Sequence, residues 1–174
     1  LEMAAQVSDR ELGTAVLDDI WPQALQREGP ASTHLNYAHR NMDRRKAADL
    51  ALQLLKRWPD DPELLYQGHR ALLWDRRVED AAAVLARWQS LVEDRMNWSA
   101  IPPARQACAE GRRADAEAIL AGLDEHDLPQ RWHLLMLLGR TGEANDLLQQ
   151  LERAGNTYAI AGCLIYPHFD PAPF

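Results

Sequence analysis

At 174 residues and 47% hydrophobic content the chain is long enough for a continuous core, and its formal charge of −7 would repel a phosphate backbone. Aromatics make up only 7%, and runs of β-branched residues are absent, so an all-α fold is predicted. Two cysteines, Cys108 and Cys163, are too few and too far apart for a disulfide scaffold or a zinc ribbon, and the longest apolar run, Tyr158 to Tyr166, falls short of the roughly 20 residues of a membrane span. These features predict a cytoplasmic chain that binds neither nucleic acid nor membrane. Leu1-Glu2 ahead of Met3 reads as a cloning remnant and Pro171-Ala172-Pro173-Phe174 as a cut end, so an excised module is expected.

The first predicted helix covers 8–27: Ser8 and Glu11 have capping-box spacing, and Leu12, Val16, Leu17, Ile20, Trp21 and Leu25 form one apolar stripe. Gly29-Pro30 breaks the chain, and Ser32 or Thr33 is expected to cap a helix running to about Met42. Beyond Asp43 the pattern becomes paired helices on short turns. Trp58-Pro59-Asp60-Asp61-Pro62 is a strong stop, and Pro62 fits the first turn of a helix from Glu63 to Trp74. Further helices are predicted over Val78–Val92, Ile101–Glu110, Ala114–Leu123, Gln130–Leu138 and Glu143–Ala154, with a last one from Asn156 to Ile165.

Gly111-Arg112-Arg113-Ala114-Asp115-Ala116 has near copies at Asp43-Arg44-Arg45-Lys46-Ala47-Ala48, Asp75-Arg76-Arg77-Val78-Glu79-Asp80-Ala81 and Gly139-Arg140-Thr141-Gly142-Glu143-Ala144. Aligning Ala47, Ala81, Ala116 and Ala144 gives spacings of 34, 35 and 28 residues, and Ala48 is an alternative anchor in the first copy. Ala51, Leu85, Leu120 and Leu148 follow four residues on, and Leu54, Trp88, Leu123 and Leu151 seven on, all on one helix face. The arginine pairs at 44–45, 76–77 and 112–113 read as turn residues paired with acids such as Asp43, Glu79, Asp80 and Asp115.

Over about residues 30–154 this pattern resembles the tetratricopeptide repeat family, whose period is about 34 residues. The first helices depart from the family's Trp-Leu-Gly-Tyr preference: Leu65, Gly68, His69 and Leu72 stand in one repeat, and Ala100, Pro103, Ala104 and Ala107 in the next. The resemblance implies a right-handed α-α superhelix, a solenoid of about four antiparallel helical hairpins forming a single domain over 1–174, with 155–174 as a C-terminal helix and Pro-rich end.

In such a solenoid the first helices line a concave, ligand-binding surface. The alanine register assigns Asn36, Arg70, Arg105 and His133 to that groove, with His39 one turn on and Tyr66 and Trp74 flanking Arg70. The set suits an extended or helical acidic peptide, and Arg70→Glu with Arg105→Glu is expected to abolish binding while sparing helicity. The alternative is that Arg70 and Arg105 are solvated or paired with nearby acids, and that Tyr66 and Trp74 belong to the core between repeats.

No His-Glu-x-x-His, phosphate-binding glycine loop or nucleophile elbow occurs in the sequence, so no metal, no cofactor and no catalytic residue is expected. Cys108 reads as a small packing residue. The reading is a non-catalytic scaffold for a peptide or partner domain. The ending Tyr166-Pro167-His168-Phe169-Asp170-Pro171 is similar to the last segment of tetratricopeptide regions in bacterial multidomain signalling proteins, including cyclase-like and winged-helix regulators. That resemblance implies the alternative: a regulatory segment that forms a homodimer through its terminal helices.

Overall fold

Two different devices start the helices of this chain, and they alternate along it. The computed structural model describes residues 31, 32, 35, 44–92, 99–157, 159 and 160. Among them are seven complete helices: α1 (Arg44–Arg57), α2 (Pro62–Trp74), α3 (Val78–Leu91), α4 (Ile101–Ala109), α5 (Arg113–Gly122), α6 (Leu128–Leu137) and α7 (Thr141–Arg153). The described residues contain no strand, so the fold is all-helical as predicted.

The first device uses aspartate and proline. Asp61 Oδ1 accepts from the Leu64 N–H at 3.0 Å and opens α2, with Pro62 where a missing N–H costs nothing. Asp127 repeats this at α6, accepting from the Gln130 N–H at 3.3 Å beside Pro129. Helix α4 has proline in its first turn but no side-chain cap, and Gln130 Oε1 instead accepts from the Ala100 N–H at 3.0 Å.

The second device opens α3, α5 and α7. Each preceding helix ends on one residue in the left-handed region: Arg76 (φ 60°), Gly111 (φ 75°) and Gly139 (φ 70°). The next residue sends its N–H back to a carbonyl five positions earlier, Arg77 to Leu72 at 2.9 Å, Arg112 to Ala107 at 2.8 Å and Arg140 to Leu135 at 2.8 Å. This is a Schellman turn, which satisfies carbonyls that a helix end leaves open. The turn recurs after α7, with Gly155 at φ 65° and Asn156 N–H to Leu151 O at 2.9 Å. Asn156 Oδ1 then accepts from the Ala159 N–H at 3.1 Å, and Thr157, Ala159 and Ile160 are helical.

The arginine after each left-handed residue then binds the acid in the first turn of the helix it opens. Arg77 Nε donates to Asp80 at 2.8 Å and Arg140 Nε to Glu143 at 2.6 Å, while Arg112 pairs with Asp115. The carboxylates also sit well beside the positive end of the helix dipole. Two of these arginines also reach back two helices from the one they open: Arg77 Nη1 lies 3.0 Å from Asp49 on α1, and Arg140 Nη1 lies 2.7 Å from Glu117 on α5. Arg87 on α3 bonds Asp60 just past α1 at 2.8 Å through Nε, so the chain of α3 advances in the same direction as that of α1.

The chain divides into two compact units, Leu1–Val92 and Glu93–Phe174. In the first, α2 packs on both α1 and α3. Gly68 lets α2 approach α1 closely, since a Cβ there would fall 2.9 Å from Leu55 Cδ1. In the second, α4 packs on α5 and α6, and α6 on α5 and α7. Ala47, Ala48, Ala81, Ala116 and Ala144 are all buried, as the repeat pattern requires. Their companions Ala51, Leu54, Leu85, Trp88, Leu120 and Leu151 are buried too, whereas Leu123 and Leu148 are half-buried.

Ala48 is the better anchor for the first copy. Asp49 and Glu117, which bind equivalent arginines, then each follow the small alanine by one residue, and Arg44 takes the place of Arg77, Arg112 and Arg140. Ser32 is itself helical, so it does not cap the helix that it was expected to start. The predicted 8–27 helix and the 166–174 ending lie outside the described residues.

Candidate functional site

The sequence places its groove donors on the first helices, and the structure shows those positions to be interior. Arg70 is 6% exposed, Arg105 1% and His133 1%. They occupy equivalent places on α2, α4 and α6, eleven residues before the small alanine of the helix that follows. Three helices thus carry a buried polar residue at one repeat position. Arginine stays protonated in proteins, so burying a guanidinium is costly unless it is engaged, and both arginines are engaged within the chain.

This corrects the picture of an open basic groove. Every residue of α2 from Leu64 to Leu73 is buried, so this helix is covered on all sides and presents no free face. Tyr66 packs its ring 6.1 Å from that of Trp88 on α3, the core role that stood as the alternative reading. Trp74 is half-buried and receives the Arg44 guanidinium 5.2 Å from its ring centroid. His133 turns inward: Nδ1–H donates to the Pro129 carbonyl at 2.9 Å, and the ring meets Trp132 edge-on at 5.0 Å. Asn36 and His39 lie outside the described residues.

Apart from Cys108, the ionisable groups that depart from their ordinary behaviour lie at the turns between helices. The Arg140 guanidinium holds the Glu143 carboxyl below the usual carboxylate range. Glu110 is lowered in the same direction by hydrogen bonds from Gln106 and then Arg112. Asp80 raises Arg77, chiefly through their hydrogen bond. Each shift follows from an exposed ion pair or hydrogen bond that organises a turn. Burial pushes the Cys108 thiol up, against a smaller opposing pull from Arg113, so Cys108 rests as a thiol packed on the core of the second unit. No group of three or more His, Cys, Asp or Glu among the described residues converges as a metal site.

One concave surface escaped the sequence reading. It is an open cleft of about 380 Å³ between α6 and α7. Leu128, Arg131 and Leu135 line it from α6, at intervals of three and four residues. Glu143, Asp146, Leu147 and Gln150 face them from α7 with the same periodicity, and Glu125 closes one end. The α7 stripe was visible in the sequence only as the polar side of an amphipathic helix, and nothing in the spacing alone marks it as concave.

No protein-family model, no curated protein and no solved structure matches the chain. Among the described residues, no helix is long and apolar enough to cross a membrane.

Proposed function

We propose that the chain is a non-catalytic interaction module of the helical-repeat class, similar to tetratricopeptide repeats, that holds a segment of a partner protein. The observation that carries this reading is the recurrence of one local unit: a left-handed residue, an arginine, and an acid three residues after that arginine, at the start of α3, α5 and α7. A chain that rebuilds the same turn at repeat intervals makes hairpins that bury their apolar faces against neighbours. Arrays of this kind present long surfaces suited to partner segments. The reading carries with it the right-handed stacking of antiparallel hairpins expected from the sequence.

A non-enzymatic role agrees with the character of the titrating groups, which are accounted for by turn-stabilising pairs. It also agrees with the burial of Arg70, Arg105 and His133, which act here as interior polar residues. The only large hydrophobic residue exposed among the described ones is Leu91, at 38%, a single side chain and not a self-association patch.

Selection of an unbiased peptide library against the 174-residue chain tests the proposal. Enrichment of a shared motif that binds with micromolar affinity supports it. Failure to enrich any motif, in selections that succeed on a control repeat module, refutes it. Small-angle scattering tests the stacking, which requires an elongated particle, and a spherical one excludes it.

A further inference from the structure

The cleft between α6 and α7 joins an apolar floor to an acidic rim. Leu128 and Leu147 are half-buried along it and Leu135 is buried, while the exposed carboxylates of Glu125, Glu143 and Asp146 face the single guanidinium of Arg131. That guanidinium is drawn to the backbone, with Nη1 donating to the Leu123 carbonyl at 3.3 Å. Glu143 is shared with Arg140. Asp146 makes no side-chain hydrogen bond or ion pair among the described residues, and Glu125 meets only His126, at 3.7 Å.

We infer that this cleft docks an amphipathic helical segment of a partner that carries Lys or Arg beside its apolar residues, an inference that rests on the interaction-module reading. Three facts select this occupant. The carboxylates do not converge into a metal-binding group, so they match several separated positive charges better than one cation. The facing stripes, Leu128 to Leu135 and Glu143 to Gln150, each run seven residue steps, which is two helical turns or roughly 10 Å, the length over which a docked helix presents apolar residues at i and i+4. The surface is open along its length, which suits a chain segment better than an enclosed small molecule.

In the docked state the partner's apolar pair covers the half-buried Leu128 and Leu147, and its basic side chains reach outward to Asp146 and Glu125. Rim charges of this sort steer and orient more than they bind, so the association weakens with salt while the leucine contact persists.

Fluorescence anisotropy with two amidated peptides of about 15 residues tests the inference, one of Lys and Leu with leucines at i and i+4, the other with Glu replacing Lys. The intact chain is expected to bind the Lys/Leu peptide about tenfold more tightly than its Glu/Leu counterpart. Glu125→Lys with Asp146→Lys should loosen the Lys/Leu peptide by about tenfold, and Leu147→Ala should also loosen it. Glu152→Lys makes the same change of charge on the opposite, exposed face of α7 and should alter affinity by less than about threefold.

Equal losses from Glu152→Lys and Asp146→Lys would mean diffuse attraction to an acidic protein and would overturn the assignment, as would equal binding of the two peptides. Asp146→Asn serves as a gentler variant, and circular dichroism confirms that each variant is folded. If library-selected peptides bind the chain but ignore Asp146→Lys, the cleft assignment falls while the interaction module stands. If the library yields no ligand at all, the module reading itself falls.

Discussion

Arg76→Gly should make this protein more stable, although it deletes a charged side chain and introduces the most flexible residue. Arg76 is the one non-glycine among the described residues with a positive φ, at 60°, and it is exposed. An L-residue held in the left-handed region costs about 1–2 kcal/mol. Glycine removes that cost but gives back about 0.5–1 kcal/mol through the greater freedom of the unfolded chain. The Arg76 guanidinium forms no ion pair or hydrogen bond among the described residues, so little is lost with it. The balance is a gain of about 0.5–1 kcal/mol, or roughly 1–4 °C in the unfolding midpoint. Urea unfolding followed by circular dichroism reads it. Two companions fix the cause. Arg76→Ala keeps the left-handed alanine and should gain little, and Gly139→Ala should lose about 1 kcal/mol, because its Cβ would meet nothing within 4 Å and only the backbone objects. Equal stabilisation by Arg76→Ala and Arg76→Gly would refute the backbone argument.

Three further outcomes follow from the packing and the charges. Gly68→Ala should be nearly neutral, since about 1 kcal/mol of helix propensity offsets a small shift of the flexible Leu55 tip; Gly68→Val should cost about 1–3 kcal/mol, measured by the same urea transitions. Arg105→Glu, with its side chain buried, should destabilise by about 3–5 kcal/mol and lower the helical signal at 37 °C, whereas a purely ligand-contacting arginine would leave the transition unmoved. Glu143 and Glu110 titrate below ordinary carboxylates. Their folded forms therefore add stability that is complete above the unfolded value of about 4.3 and disappears as pH falls through the lower folded values. Thermal melts from about pH 6 to about pH 3 should show that loss, and it should be shallower in Arg140→Gln, which frees Glu143.

Much of the helical layout is legible in the sequence because this chain marks its boundaries chemically. Pro62 and Pro102 announce first turns, Gly111 and Gly139 announce ends, and every predicted helix between 62 and 154 falls within two residues of its observed bounds, although Pro129, expected in a connector, lies in the first turn of α6. Arg76 hides one such end, since arginine gives no hint of a left-handed conformation. The arginine-to-acid pairs at the turns were legible from local spacing, as in Arg77 with Asp80. Their longer reach to Asp49 and Glu117 was not, because it depends on which helices lie side by side. The groove failed for the same reason. Arg70, Arg105 and His133 share a register position that periodicity identifies correctly, but whether that position meets solvent or protein is decided by what packs over it, and no spacing rule encodes that.

The helix-to-helix contacts of each unit also bear on how quickly it forms. Among the seven complete helices, α2 packs on α1 and α3 in the first unit, and in the second no packed pair is farther apart than α4 and α6. Even the longest side-chain bridges, Gln130 to Ala100, Arg77 to Asp49 and Arg87 to Asp60, close loops of no more than 30 residues. Closing short loops costs little chain entropy, so contacts are rewarded almost as soon as their helices form. Among the described helices, contacts this local are of the kind that favour fast folding within each unit.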